Sequence, residues 1–270
     1  MVSVMTPRSL GVLRVPVALM RVSLSTAMQY RSDFLFEALT GLLRTAANVA
    51  ALLLVFLHRD QVAGWTLPEA LLVMALFLLM NSLVQTLIEP NLGAVVEAIR
   101  RGTLDLLLMK PADAQLLVSL NRVAPGQAWD GLAAIALGGW ALSRLPDPPT
   151  ALDAVVALGL LLCGMVAIYG LWLLAISTSF WFVRVDNLRF LLMSVSDAGR
   201  WPLAVFAGWV RVLLTVVVPV GIVTSFPALA LRGAWSGSLL LYAAATAALF
   251  ALVSRWVWKR SLAAYTSASS

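Results

Sequence analysis

Few side chains in this sequence could do chemistry, and most of those lie inside apolar runs. Glu37, Arg44 and Asn48 are spaced seven and four apart, which puts them on one face of a helix. Asn81, Gln85 and Glu89 follow at intervals of four and form a second polar stripe. Asp130 and Arg211 are further ionisable groups within apolar runs. Polar groups in lipid are costly and face a cavity or a partner. Two readings fit: a lining for a solute path, or polar glue between helices, with Glu37 snorkelling to the interface. Covalent chemistry has less to work with. There is no GxxxxGK[ST] loop to cradle a nucleotide, no HExxH and no GxSxG. The single histidine, His58, falls in a polar turn, and the single cysteine, Cys163, in an apolar run. That excludes a histidine-based triad, a cysteine-rich metal site and an intrachain disulfide. A mechanism built on carboxylates alone stays formally open.

The elements that must carry these residues are set by composition. Of 270 residues, 61% are apolar and 12% charged, with a mean hydropathy of +0.92. A soluble globular domain carries about twice that charged share. A water-soluble domain, a disordered chain and a fibrous repeat are excluded. A crossing takes roughly 20 apolar residues. The pattern predicts an all-α integral membrane protein, one permease-sized domain over 1–270 with six spans at 34–57, 67–88, 127–145, 151–181, 201–218 and 238–258. Residues 9–31 read as an interfacial helix, with Arg14 and Arg21 on one face and Pro16 as a kink. Pro219 and Pro227 punctuate an apolar stretch after span five, read as a bent or re-entrant hairpin. Ten tryptophans, including Trp65, Trp140, Trp201, Trp235, Trp256 and Trp258, gather near span ends as an aromatic belt.

Net charge is +6, which in a soluble protein could point to nucleic acid. Here it reads as the basic bias of cytoplasmic flanks, and no nucleic-acid partner is expected. With both termini inside, fourteen Lys and Arg fall in inner segments, and three, Arg59, Arg144 and Arg232, in outer loops. Arg44 and Arg211 lie within spans. The split favours both termini in the cytoplasm, and an even span count agrees. No internal repeat is evident, which weakens the case for an inverted-repeat secondary transporter.

The most informative segment lies on the inner side, over 89–112. Leu92, Val95, Val96 and Ile99 form one apolar stripe at i, i+3, i+4 and i+7, and Glu97, Arg100 and Arg101 take the opposite face. Glu97 and Arg101 make a supporting i,i+4 pair, and Gly102 is a helix stop. The pattern predicts a short amphipathic helix at the inner membrane surface. It is either a plain connector or a grip for a cytoplasmic partner.

The run Ile99-Arg100-Arg101-Gly102-Thr103-Leu104-Asp105, followed by Leu107-Leu108-Met109-Lys110-Pro111, resembles the permease subunits of type-two ABC transporters. Its closest likeness is the bacterial ABC-2 family transporter protein group, formerly a domain of unknown function. Val218-Pro219-Val220-Gly221 and Ser225-Phe226-Pro227-Ala228 resemble the same group near its fifth span. The resemblance implies a multi-pass subunit of the bacterial inner membrane, paired with a second permease, identical or homologous. Two cytoplasmic ATPase subunits would dock beneath it. ATP and Mg would sit on those partners, and this chain would bind no cofactor and hydrolyse nothing. The segment 92–105, with Thr103, Asp105 and Lys110 beside the residues already named, would be the coupling helix. Glu37, Arg44, Asn48, Asn81, Gln85, Asp130 and Arg211 would be candidates for the path. The expected function is an exporter that works by alternating access. The rivals are a secondary transporter or channel using Glu37, Asp130 or Arg211 as charge relays, and a membrane-embedded transferase.

Overall fold

The computed structural model describes residues 31–105, 109, 113–120, 122–181 and 186–265. The interfacial helix expected at 9–31 lies outside the described residues except for Arg31, and so does Lys110. The first helix, α1 (Arg31–Phe56), leads to a two-stranded hairpin, β1 (Gln61–Val62) and β2 (Trp65–Thr66). The hairpin turns through Ala63 and Gly64, both at positive φ, as a two-residue turn of its hand requires. Then come α2 (Leu67–Leu83), a π-turn (Val84–Ile88) and α3 (Glu89–Arg100). Thr66 and Glu69 start α2, with the Thr66 N–H donating to Glu69 Oε2 at 2.8 Å and Pro68 in the first turn. After α4 (Ala114–Ser119) a 3₁₀ turn (Pro125–Gln127) enters α5 (Ala128–Leu142). The long α6 (Ala151–Ser177) starts on a Thr150–Asp153 capping box. α7 (Asp186–Ser196) follows, then α8 (Gly208–Val212) with a π-turn (Leu213–Val217). The chain closes with α9 (Val220–Val223), α10 (Ser225–Leu231) and α11 (Gly237–Ala264).

Among the described residues, four helical stretches are long and apolar enough to cross a membrane: 36–56, 67–100, 151–180 and 237–264. A fifth is the bent pair 208–217 and 220–231, whose halves meet at 79°. The expected spans one, two, four and six therefore have counterparts. Span five and the proline-punctuated stretch after it are one broken element, with Val218-Pro219 at the break. Span three, expected over 127–145, is the 15-residue α5 and is short for a crossing of its own.

The expectation of a separate surface helix over 92–105 needs correcting. The helix of span two does not stop at Ile88 but runs from Leu67 to Arg100 over 34 residues. At ~1.5 Å per residue this is roughly 50 Å, against ~30 Å of hydrocarbon. About 20 Å therefore lies beyond one crossing. The apolar stripe is real, but it is the packing face of this extension. Leu92 and Val95 are buried, Val96 and Ile99 partly so. They lie against α4 and the end of α6 rather than on lipid.

α2 sits at the centre because it is apolar on every side, and residues 70–75 are buried without a break. α5 packs on one flank of α2, and α11 packs on α6. Gly170 lets α6 approach α11 so closely that a Cβ there would stand 2.8 Å from the Phe250 carbonyl oxygen. Trp65 and Trp258, expected in the aromatic belt, are buried instead. Trp258 meets Phe180 edge-on at 5.8 Å, and Trp65 lies under the Arg232 guanidinium at 5.1 Å. Trp140 and Trp256 are exposed, as a belt requires.

Candidate functional site

The projecting end of α3 is finished by a Schellman motif. Gly102 takes φ +66°, its N–H donates to Ile99 O at 3.2 Å, and the Thr103 N–H donates to Ala98 O at 2.9 Å. The chain then turns back so that Leu104 is fully buried. Arg100, Arg101 and Thr103 are exposed at the tip, and Asp105 is half-buried. Glu97 and Arg101 form the expected i,i+4 bridge at 2.6 Å.

The tip is braced by α4. Asp113 caps α4, accepting from the Gln115 and Leu116 N–H groups at 3.0 and 3.2 Å, and pairs with Arg255 of α11 through both oxygens. The Arg255 bond leads in holding its carboxyl down at about 2, helped by the two backbone N–H groups against some desolvation. The Tyr169 hydroxyl of α6 meets Ser119 Oγ at 2.6 Å and accepts from Gln115 Nε2 at 3.1 Å. Two transmembrane helices thus hold the platform on which α3 rests.

The polar groups of the spans converge where α1, α2 and α5 meet. Arg44 pairs with Asp130 at 2.5 Å. Asp130 is almost fully covered, and Gly41 leaves the opening through which it reaches Arg44. Seven residues before Arg44, the Glu37 carboxylate lies on Gly126 at the entry of α5. Four after it, Asn48 Oδ1 accepts from Arg200 Nη1 at 3.0 Å. The three predicted residues of span one therefore share a face, and each meets a different partner. A cavity of about 250 Å³ opens beside them, lined by Arg44, Asn81, Gln85 and Asp197 on its polar side and by Met80, Ile168, Trp172 and Met193 on its apolar side. Gln85 also lines a second recess of about 430 Å³ at the start of α3. There Glu89 pairs with Arg189 of α7, and Glu97 and Arg122 complete the rim.

The structure therefore brings Arg44, Asn81 and Gln85 to one cavity, with Asp130 behind Arg44 and Asn48 tied to Arg200. It does not bring Arg211 there. That side chain is exposed and reaches back to the carbonyls of Ala204 and Phe206 at 3.5 and 3.4 Å. Asp197, Arg200 and Arg189 were not among the predicted residues, because they come from a mixed, basic segment that reads as a cytoplasmic loop. Asn91 was also missed. It adjoins the predicted stripe, yet it is buried. Among the described residues no group of three or more His, Cys, Asp or Glu could hold a metal ion.

The chain is a helical multi-pass membrane protein with a polar cavity inside its bundle. The chain matches the family described as ABC-2 family transporter protein over residues 42–269, most of its length, and belongs to that family. No curated protein and no solved structure matches it. The family makes it a permease of an ABC transporter.

Proposed function

We propose that this permease is the membrane half of an ATP-driven exporter working by alternating access in the inner membrane of a bacterium, with both termini in the cytoplasm. Two cytoplasmic ATPase subunits bind and hydrolyse MgATP, and a second permease, identical or homologous, completes the pathway. α5 serves as the remaining one of six crossings. The observation that carries the reading is the helical run from Leu67 to Arg100, continuous through the π-turn and Pro90 and ending in an exposed basic tip. Closure of the ATPases on ATP would press on 92–105. That element is continuous with the wall of the cavity at Asn81 and Gln85, so displacement at one end moves the other. The absence of a nucleotide-binding loop in this sequence fits the division of labour.

Reversing both charges, Arg100→Glu with Arg101→Glu, tests the docking role. Exposed ion pairs contribute about 0–1 kcal/mol, so the variant should insert and melt like the wild type. It should lose co-purification with the ATPase of the neighbouring reading frame, or hydrolyse ATP without transport. Normal docking and normal coupling would reduce the segment to a connector.

A further inference from the structure

Two prolines interrupt helices of this bundle, and the residues leading to them align: Thr86-Leu87-Ile88-Glu89-Pro90 and Thr215-Val216-Val217-Val218-Pro219. A proline removes one N–H and strands the carbonyl four residues earlier. In both places a π-turn comes just before, and the stranded threonine carbonyl finds a donor elsewhere in the fold. The Ala124 N–H donates to Thr86 O at 3.0 Å, and the Tyr242 hydroxyl donates to Thr215 O at 3.2 Å. The outcomes differ. At Pro219 the axis turns through 79°, whereas at Pro90 the helix continues to Arg100.

The residue after the proline separates the two cases. It is Val220 in the broken helix and Asn91 in the continuous one. Asn91 is 2% exposed, and its carboxamide is engaged on both sides. Nδ2 donates to Leu87 O and to Arg122 O, each at 2.6 Å, and Oδ1 accepts the Arg122 N–H at 2.6 Å. The first bond ties the turn before the proline to the turn after it. The other two join the helix to the backbone of Arg122 through both its N–H and its C=O, as a neighbouring β-strand would. Val220 has no side-chain group that could do either.

We propose that Asn91 is a positioning residue that splints the helix across Pro90 and carries displacement of the α3 tip into α5. The proposal rests on the coupling reading above. From Arg122 the backbone runs directly into the Pro125–Gln127 turn, where Gln127 O accepts from Ser82 Oγ at 2.9 Å, and then to Asp130, which holds Arg44 at the cavity. Without the splint, α3 can pivot at Pro90 and the push is absorbed there.

The test uses the whole transporter, with its ATPase, in nanodiscs. Backbone amide exchange is followed with and without MgATP plus vanadate. In the wild type, trapping should change exchange both in 92–105 and in 122–142. In Asn91→Leu the ATPase should still co-purify, and the response in 92–105 should persist while that in 122–142 is lost. Before any nucleotide is added, exchange over 122–124 should rise on the order of tenfold, the size of one or two lost hydrogen bonds. Asn91→Asp keeps the acceptor for the Arg122 N–H and should recover part of the 122–142 response, which a purely structural defect would not. Asn91→Ser serves if the leucine variant does not insert. A full response in 122–142 despite the loosened 122–124 segment would overturn the proposal, and so would loss of ATPase docking in every Asn91 variant. Failure of the coupling reading itself would look different: the Arg100 and Arg101 reversal would leave docking and transport unchanged.

Discussion

Gly102 offers a graded perturbation of the α3 tip. Its φ of +66° lies in the left-handed region, and its N–H and that of Thr103 close the last turn onto Ile99 and Ala98. A residue with a Cβ in that conformation costs about 1–2 kcal/mol, less for Asn, which bonds locally. A β-branched Val sits at the top of the range. An isolated permease can evade the cost by fraying its last turn, which is exposed at Arg100 and Arg101. Thermal melting of the permease alone should therefore change little. Docking of an ATPase requires the turn to be re-formed, so the cost reappears in affinity. Converted at 1.4 kcal/mol per decade, Gly102→Ala should weaken docking about 5- to 30-fold. Gly102→Asn should lie between Ala and wild type, and Gly102→Val should be weakest. The assay is binding of purified ATPase to nanodisc-embedded permease on a sensor surface. Equal affinity for Gly, Ala and Val, or an Asn variant weaker than Val, would show that the motif plays no part in docking.

Two further perturbations address the bracing of the site. Asp130→Asn removes the charge facing Arg44; because one partner is buried and the other half-exposed, the loss should fall between an exposed and a buried pair, about 1–3 kcal/mol. It is read as a lower melting temperature in detergent, and Arg44→Gln added to it should cost little more; fully additive losses would mean the two are not coupled. Asp113, held at about 2 by Arg255 and the α4 N–H groups, has a lowered folded-state pKa. Its contribution is therefore complete above its ordinary value near 3.9, constant from pH 8 to pH 5, and lost as the pH falls from about 4 toward 2. Exchange of the α4 amides should follow that course in the wild type and lose its acid limb in Asp113→Asn; an α4 that loosens between pH 7 and 5 would contradict it.

Much of the helical order was legible because a bilayer imposes one length and one polarity on every crossing. Gly102 marked a helix end by chemistry that acts within four residues, and it fell where expected. The extension through Pro90 was not legible. A proline after Glu89 reads as a boundary, and the bonds that brace the helix there from outside, from the Ala124 N–H to Thr86 O and between Asn91 and Arg122, act across more than thirty residues of sequence. The same limit applied to the cavity. The four- and seven-residue spacings put Arg44, Asn81 and Gln85 on faces that meet at the cavity, and Asn48 on the face that meets Arg200. They carried no information on Asp197, Arg200 or Arg189, whose segment is too polar to read as part of a bundle. Arg211, an arginine in an apolar run, stands apart from this cavity: the broken backbone at 203–206 leaves carbonyls beside it, and the side chain turns to those.

The ionisable groups that line this interior are engaged with one another: Arg44 with Asp130, Arg200 with Asp197 and Asn48, Glu89 with Arg189. Each arrangement joins elements distant in sequence or braces one at its turn, so each works as helix glue. Yet Arg44, Asp197, Glu89 and Arg189 also face the cavity or the recess. The same residues are therefore open to both readings of the polar stripes. A group that must stay soluble in a low-dielectric bundle needs a partner in every state, and a bundle that rocks must exchange contacts as it moves. An ion pair between two moving elements meets both needs, because it holds one state and presents charge to the opening in the next. Glu89 and Arg189 are the clearest instance. They close the recess between α3 and α7, and Glu89 sits one residue before Pro90 and two before Asn91.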